Sequence, residues 1–217
     1  MNIRVILADD HVIMREGLRR LLESQPGIEV VAEVGDGRNA VKKAKELRPD
    51  VVIIDIGMPD LNGIEAARQI MSSIPRVKII GLSMHSEKQF IVEMLRAGAS
   101  AYLLKDCASQ ELVQAIREAL VNRIYLSPSI ADDVIRSYIH DLPDIPLSPY
   151  SVLTAREREV LQLLAEGKSI KEISKSLYVS VKTIETHKQN IMEKLNIHNI
   201  AGLTKYAVVE GLTTLDT

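Results

Sequence analysis

Short apolar runs alternate with amphipathic stretches five times within the first 123 residues. The runs are rich in Val and Ile, and most are continuously apolar, which is typical of parallel strands covered on both faces. Between them, apolar residues repeat at helical spacing, as Met14, Leu18 and Leu22 do. This alternation predicts an α/β fold with a parallel sheet built from βαβ units. The predicted strands are Ile3–Ala8, Val30–Val34, Val51–Asp55, Lys78–Ser83 and Ala101–Leu104.

The composition limits the class of protein. The chain has 217 residues, enough for two domains, and its 46% hydrophobic and 26% charged residues are ordinary for a globular protein. No apolar run approaches the ~20 residues that a membrane-spanning helix needs, so we expect no membrane partner. The single cysteine, Cys107, excludes an internal disulfide and a Cys-rich metal site, and a reducing, cytoplasmic location fits it best.

The alternation of predicted strands and helices ends after residue 123. Ser127 and Pro128 look like an N-cap and the first residue of a short helix that reaches about Tyr138. Three prolines at three-residue intervals, from Pro143 to Pro149, then indicate an exposed linker. We therefore predict a first domain over 1–123, a linker with a short helix over 124–152, and a second domain over 153–217.

The second domain has a purely helical pattern. Capping boxes begin at Thr154 and Ser169, and Gly167 lies where the end of a helix favours positive φ. A third helix opens at Ser180, after a turn of three residues, and a fourth follows from about Asn199 to Val208. A short helix, a tight turn and a longer helix form a helix-turn-helix.

Five polar residues lie where the predicted strands end. In an open parallel sheet these ends share one edge, where ligands bind. Three carboxylates at one edge would repel each other unless a cation lies among them, and Mg²⁺ prefers such oxygen ligands. The set suits phosphoryl transfer, with Asp55 as nucleophile and a lysine and a hydroxyl stabilising the phosphoryl oxygens. The five residues are Asp9, Asp10, Asp55, Ser83 and Lys105.

Three segments resemble the receiver domain of two-component response regulators. They are the pair Asp9-Asp10, the segment 55–63 (DIGMPDLNG) and the segment 101–105 (AYLLK). The resemblance implies a flavodoxin-like (βα)5 fold that accepts a phosphoryl group from a sensor histidine kinase.

The resemblance also implies a role for each matching residue. Asp55 is the phosphoacceptor, Lys105 binds the phosphoryl group, and Ser83 and Tyr102 are the switch residues. Mg²⁺ would be held by Asp10 and Asp55, by the backbone carbonyl of Gly57, and by Asp9 directly or through water. For Tyr102, a plain strand aromatic is the open alternative.

Two positions depart from the receiver pattern. Many receivers have Lys-Pro after the fifth strand, whereas this chain has Lys105-Asp106, so a cis peptide is not expected there. Gly57 brings no side chain to the phosphoryl site. His85, two residues after Ser83, either reaches the site or is a solvated loop residue.

The third helix of the second domain has an apolar stripe and an opposite polar face. Ile184, Ile191 and Leu195 form the stripe, and His187 falls within it, which favours packing or a phosphate contact. The polar face is either simply solvated or presented to a major groove by the preceding helix and turn. In the groove, Lys182, Glu185, Thr186 and Gln189 would face bases, while Thr183 and Lys188 would contact phosphates.

Residues 154–211 resemble the four-helix LuxR-type DNA-binding domain. The matching segments are 153–161 (LTAREREVL) and 181–187 (VKTIETH). With the receiver in front, the architecture is similar to that of the NarL/FixJ family, whose partner is double-stranded promoter DNA. The last helix would carry dimer contacts through Ile200, Leu203, Ala207 and Val208, although core packing explains that stripe equally well. Because residues 154–217 carry a net charge of only +1, we expect useful DNA affinity to need a homodimer.

Function is therefore expected to be transcription regulation controlled by phosphorylation, without enzymatic turnover. One alternative is a Mg²⁺-dependent hydrolase with Asp55 as covalent nucleophile, because phosphatases share aspartyl-phosphate chemistry. Steady turnover of a small phosphoester would favour this hydrolase. The other is a protein-binding adaptor, which failure to bind any DNA would favour.

Overall fold

The computed structural model describes residues 2–84, 88–131 and 152–213. The chain divides into two compact units, residues 1–145 and 146–217. His85 and the three prolines of the predicted linker lie outside the described residues, as does the part of the predicted short helix beyond residue 131.

The first unit is built on a parallel six-stranded sheet. The strands are β1 (Ile3–Ala8), β2 (Ile28–Val34), β3 (Val51–Asp55), β4 (Lys78–Ser83), β5 (Ala101–Leu104) and β6 (Tyr125–Leu126). Their spatial order is β2-β1-β3-β4-β5-β6, and every neighbouring pair is parallel. Four of the predicted strands have the expected bounds, and β2 begins two residues earlier than expected. The doubly wound α/β architecture is confirmed.

The sixth strand differs from the five-stranded expectation. Tyr125 pairs with Ala101 and Leu126 pairs with Tyr102, within the segment that the sequence assigns to the linker. A two-residue strand is too short for an alternating or continuous apolar pattern to reveal it. The sheet therefore continues past residue 123, and the predicted domain boundaries stay predictions.

A helix follows each of the first five strands of this unit. These helices are α1 (Val12–Glu23), α2 (Gly37–Leu47), α3 (Gly63–Ser73), α4 (Lys88–Arg96) and α5 (Ala108–Leu120), with a 3₁₀ turn over Lys105–Cys107 before α5. The side chains of Asp36 and Asn62 cap α2 and α3 by accepting backbone N–H groups of the first turn. The core lies between the helices and the continuously apolar strands, as Ile53 and Ile80 illustrate, both almost fully buried.

The described residues of the second unit, 152–213, contain four helices: α6 (Ala155–Ala165), α7 (Ile170–Ser176), α8 (Val181–Leu195) and α9 (Ile200–Val209). Both predicted capping boxes are confirmed, and Gly167 has a φ of +80°. Ile184 and Ile191 of α8 are buried, as the stripe predicts. The turn between α7 and α8 passes through Tyr178 at a φ of +55°. These four helices confirm the helix-turn-helix.

A salt bridge fixes the start of α6 against the end of α8. Lys194 Nζ lies 2.6 Å from Glu157 Oε2, and Glu157 also accepts the backbone N–H of Thr154 at 2.8 Å. Burial acts to raise the pKa of Glu157, but the bonds from Lys194 and Thr154 outweigh it, so the pKa lies below its usual value. The capping box is thus part of the packing of the second unit.

Thr154→Ala tests this capping box. The substitution removes the hydroxyl that accepts the Glu157 N–H, so the free energy of unfolding of the second unit should fall by about 1 kcal/mol. Urea unfolding followed by circular dichroism measures the change. Thr204→Ala is the control, because it makes the same chemical change within α9, where alanine has the higher helix propensity, and it should leave stability equal or higher. Equal losses for both variants would contradict the assignment.

Candidate functional site

The five polar residues predicted from the sequence come together at one edge of the sheet. Asp9 and Asp10 follow β1, Asp55 ends β3, Ser83 ends β4, and Lys105 follows β5. Four of them are buried, including Asp55 at 3% and Lys105 at 5% exposure, while Asp10 is partly exposed. The parallel sheet causes this convergence, because all of its strands finish on the same side.

Lys105 joins two of the carboxylates. Its Nζ lies 2.8 Å from Asp55 Oδ2 and 2.9 Å from Asp9 Oδ2. The other oxygen of Asp55 accepts the backbone N–H of Gly57 at 3.3 Å. The Asp55 carboxylate is therefore oriented from both sides by groups that lie within the pocket.

Burial of this cluster changes its protonation. Desolvation raises the pKa of Asp55 to about 6, with Lys105 acting against the rise and Asp9 adding to it. Desolvation acts to lower the pKa of Lys105, but Asp55 and Asp9 outweigh it and the net shift is upward. One lysine is thus firmly protonated, whereas the carboxylates hold more negative charge than it neutralises.

His11 belongs to the pocket, although the sequence analysis did not identify it. Its Nδ1 lies 2.9 Å from Asp10 Oδ1 and 3.2 Å from Asp9 Oδ1, and the side chain is 55% exposed. The signal available in the sequence is its position directly after the Asp9-Asp10 pair.

The donor set fits a divalent cation. One ligand atom from each of Asp9, Asp10, His11 and Asp55 lies within 4.8 Å of all the others. Asp9 Oδ2 and Asp10 Oδ1 are buried and receive no hydrogen bond of good geometry from the described residues, although Lys105 Nζ and His11 Nδ1, respectively, lie 2.9 Å away. Hard oxygen ligands with unmatched negative charge are what Mg²⁺ binds.

Gly63 is the last residue of the segment 55–63 that resembles receiver domains. The structure shows why glycine is needed there. A Cβ atom at this position would lie 2.0 Å from the backbone carbonyl oxygen of Asp55. Any side chain there would push α3 away from the end of β3. The first turn of α3 therefore packs directly on the backbone that carries Asp55, and glycine is required for that approach.

The two predicted switch residues are both buried. Ser83 is at the end of β4 and pairs with Leu104, and Tyr102 pairs with Gly81 within the sheet. The ring of Tyr102 is fully buried.

In the second unit, the predicted base-facing residues share an exposed face of α8. Lys182, Glu185, Thr186 and Gln189 are exposed. The Gln189 amide donates to Glu193 Oε1 at 3.2 Å. The exposed helix of a helix-turn-helix is the element that enters a major groove.

The two predicted phosphate-contacting residues are less exposed. Thr183 and Lys188 are half-buried, and the Thr183 hydroxyl lies 2.8 Å from that of Ser180. His187 is also half-buried, and its Nδ1 has no hydrogen-bond partner among the described residues. Its packing agrees with its place in the apolar stripe.

Tyr178 belongs to the turn that precedes α8, and nothing in the sequence marks it as functional. It is 95% exposed and lies in the turn before α8. Hydrogen bonds on both sides hold this turn, from Arg156 to the Leu177 carbonyl at 2.8 Å and from the Ser174 hydroxyl to the Val179 carbonyl at 2.6 Å. The start of α8 is therefore rigidly positioned.

The last helix has both buried and exposed apolar residues. Leu203 and Ala207 are buried within the unit, which is the packing role left open by the sequence, while Ile200 and Val209 are exposed. Across the described ranges, every helix is too short or too polar to cross a bilayer.

Comparison with family models gives two matches. Residues 5–117 match the response regulator receiver domain, and residues 151–207 match the bacterial regulatory proteins of the luxR family.

Several curated proteins are similar over nearly the whole chain. The response regulator UvrY of Escherichia coli K12 is 39% identical over 215 residues, covering 99% of this chain and 98% of UvrY. The transcriptional regulatory protein DegU of Brevibacillus brevis is 35% identical over 224 residues, covering 97% of this chain and 93% of DegU. Both relatives span the two units together.

Solved structures agree with these matches. A LuxR-family response regulator from Aurantimonas sp. SI85-9A1 is 40% identical with a TM-score of 0.62, covering 64% of this chain and 99% of its own. The response regulator RcsB in complex with DNA is 30% identical with a TM-score of 0.64, covering 95% and 98% of the two chains.

Asp55→Asn tests the raised pKa that burial gives the Asp55 carboxyl. A raised pKa means that the folded state binds a proton more tightly than the unfolded chain, so stability falls as pH rises between about 4 and 6. In metal-free buffer the first unit of the wild type should lose about 1–2 kcal/mol between pH 5 and pH 7.5, and Asp55→Asn should not show this loss. Urea unfolding at the two pH values measures it.

Asp106→Asn is the matched control, because this exposed carboxyl follows Lys105 directly. It should retain the wild-type loss of stability with pH. The account of the pocket is wrong if Asp55→Asn and the wild type lose stability in parallel.

Proposed function

Since this chain belongs to the NarL/FixJ-type response regulators, which join a receiver domain to a LuxR-type DNA-binding domain, we propose that a phosphoryl group on Asp55 controls its binding to DNA. As a member of this family it is a DNA-binding transcription regulator of a two-component system. The observation that carries the proposal is the pair of contacts from Lys105 to Asp55 and Asp9, at 2.8 Å and 2.9 Å.

The reaction follows from the charge of the pocket. A carboxylate oxygen of Asp55 forms a bond to phosphorus, and the bond from phosphorus to the donor group breaks. Lys105 neutralises charge on the phosphoryl oxygens, and the Ser83 hydroxyl donates a hydrogen bond to one of them. The phosphoryl donor is a phosphohistidine of a sensor histidine kinase, which is the partner that a receiver domain implies.

Mg²⁺ is the cation that we assign to the pocket. Asp10, Asp55 and the Gly57 carbonyl would hold it, with Asp9 binding directly or through water. The metal supplies positive charge that stabilises the transferred phosphoryl group. The buried oxygens of Asp9 and Asp10 that lack well-formed hydrogen bonds support this assignment.

The output is DNA binding by α8. The exposed Lys182, Glu185, Thr186 and Gln189 would contact base edges, and Thr183 and Lys188 would contact phosphates. Ser83 and Tyr102 would report phosphorylation to the surface of the first unit.

We assign the DNA-bound form as a homodimer on two half-sites about one helical turn apart. Two observations favour it. The net charge of +1 over residues 154–217 is small for a monomeric DNA-binding domain, and Ile200 and Val209 expose apolar surface on α9. The proposed setting is the cytoplasm.

Phosphoryl uptake is tested by intact mass after incubation with acetyl phosphate and Mg²⁺. The wild type should gain one phosphoryl group, and Asp55→Asn should gain none because it lacks the nucleophilic oxygen. Asp106→Asn keeps the pocket intact and should gain one group like the wild type. Equal gain by Asp55→Asn would place the acceptor elsewhere, and continuous release of phosphate with turnover would favour the hydrolase.

DNA recognition is tested by fluorescence anisotropy on a duplex selected from a random pool by the phosphorylated protein. Lys182→Ala should cost about 1–3 kcal/mol of binding free energy and relax the sequence preference. Lys188→Ala should weaken binding to all sequences alike and reduce the slope of log affinity against log salt by about 1.

Lys205→Ala is the charge-matched control for both variants, since Lys205 is exposed on α9. It should keep both the sequence preference and the salt slope of the wild type. If Lys182→Ala and Lys205→Ala behave alike in affinity and preference, the assignment of α8 as the reading helix is wrong.

A further inference from the structure

We propose that the hydroxyl of Ser127 couples the phosphoryl pocket to the segment of chain that leads toward the DNA-binding unit. The inference rests on the function proposed above, since it names the route by which that function is regulated. Ser127 would be a positioning residue, which acts through the end of β5 and has no contact with the reacting atoms.

Ser127 contacts two elements of the first unit, α5 and β5, through one side chain. It is fully buried, and its hydroxyl donates to Glu111 Oε2 on α5 at 2.5 Å. The same oxygen accepts the backbone N–H of Leu104, the last residue of β5, at 3.3 Å. A buried hydroxyl with both a donor and an acceptor partner fixes its neighbours relative to each other.

The backbone around Ser127 follows β5 as well. Its N–H donates to the Tyr102 carbonyl at 3.1 Å, which continues the parallel pairing of β6 with β5. Its carbonyl accepts the N–H groups of Ile130 and Ala131, at 2.9 Å and 3.1 Å, in a helical turn over residues 128–131. A displacement of the end of β5 is therefore passed directly to this helical turn.

The end of β5 is also the part of the strand nearest the phosphoryl chemistry. Leu104 precedes Lys105, whose Nζ lies 2.8 Å from Asp55 Oδ2. When Asp55 gains a phosphoryl group, the Lys105 ammonium exchanges a carboxylate oxygen for phosphoryl oxygens that lie farther from the Asp55 backbone. The Lys105 side chain joins the backbone directly after Leu104, so a shift of its ammonium acts on the end of β5.

The two bonds of the Ser127 hydroxyl differ in length. The bond to Glu111 is short and charge-assisted, so it anchors the hydroxyl on α5. The bond from Leu104 is long and correspondingly weaker, so it is the one that changes when β5 moves. This bond would then have two arrangements, made and broken, and a signal at Asp55 would bias them.

Two pairs of variants test the coupling in the full-length chain. Ser127→Ala removes the hydroxyl, and Ser129→Ala makes the same change at an exposed position two residues later. Glu111→Ala removes the anchor, and Glu111→Gln keeps an acceptor oxygen in its place. For each variant, phosphoryl uptake is measured by intact mass, and affinity for the selected duplex is measured before and after phosphorylation.

Hydrogen exchange of the Ile130 and Ala131 amides provides a readout that does not depend on DNA. In the wild type, phosphorylation should change their exchange rates, because their acceptor is the Ser127 carbonyl. In Ser127→Ala and Glu111→Ala the change should disappear, and the affinity gain on phosphorylation should fall by about fivefold or more. Ser129→Ala and Glu111→Gln should behave like the wild type, and all four variants should still take up one phosphoryl group.

The inference is overturned if Ser127→Ala and Glu111→Ala keep the wild-type gain in affinity and the wild-type change in exchange. Should Ser127→Ala fail to fold, Glu111→Ala decides alone, since Glu111 is only half-buried. If the wild type takes up no phosphoryl group, the proposed function is wrong, whatever the Ser127 variants do. The mass measurement thus separates the two failures.

Discussion

The bridge that Lys105 forms between Asp55 and Asp9 is the interaction on which the site depends. One ammonium group holds two buried carboxylates, at 2.8 Å and 2.9 Å, with Asp10 beside them. The pocket therefore holds one ammonium group against three carboxyl groups, and burial raises the pKa of Asp55. A divalent cation and a phosphoryl group change this balance in opposite directions, so the same cluster can both bind a metal and respond to phosphorylation.

The sheet makes such a pocket possible. The apolar residues along each strand fill the core. The residues at the carboxyl ends of the strands are not needed there, so polar side chains can occupy those positions. The approach of Gly63 to the Asp55 carbonyl and the register of Ser83 with Leu104 then fix the positions of the polar groups. Because β5 carries Tyr102 and ends at the residue before Lys105, a change at Lys105 acts on this strand.

Much of the fold was predictable because its signals are local. Strand bounds, capping boxes and the buried stripe of α8 follow from apolar period and from hydrogen bonds within a few residues. The close approach at Gly63 and the dual contact of Ser127 depend on elements that meet only in the folded chain. Ser127 shows the limit clearly: a helical turn begins directly after it, as its Ser-Pro sequence predicts, but the bonds of its hydroxyl to α5 and β5 could not be predicted from that sequence. The two-residue strand β6 was missed for the same reason.

The most direct test of the account is the titration of the Asp55 carboxyl by ¹³C NMR, with and without Mg²⁺. In metal-free buffer the Asp55 pKa should be about 6, because burial and Asp9 outweigh the attraction of Lys105. Saturating Mg²⁺ should lower this pKa by about one unit or more, since a bound cation favours the carboxylate. A pKa near the ordinary value of 3.8 that Mg²⁺ leaves unchanged would contradict the account, because the pocket would then hold neither the charge imbalance nor the metal.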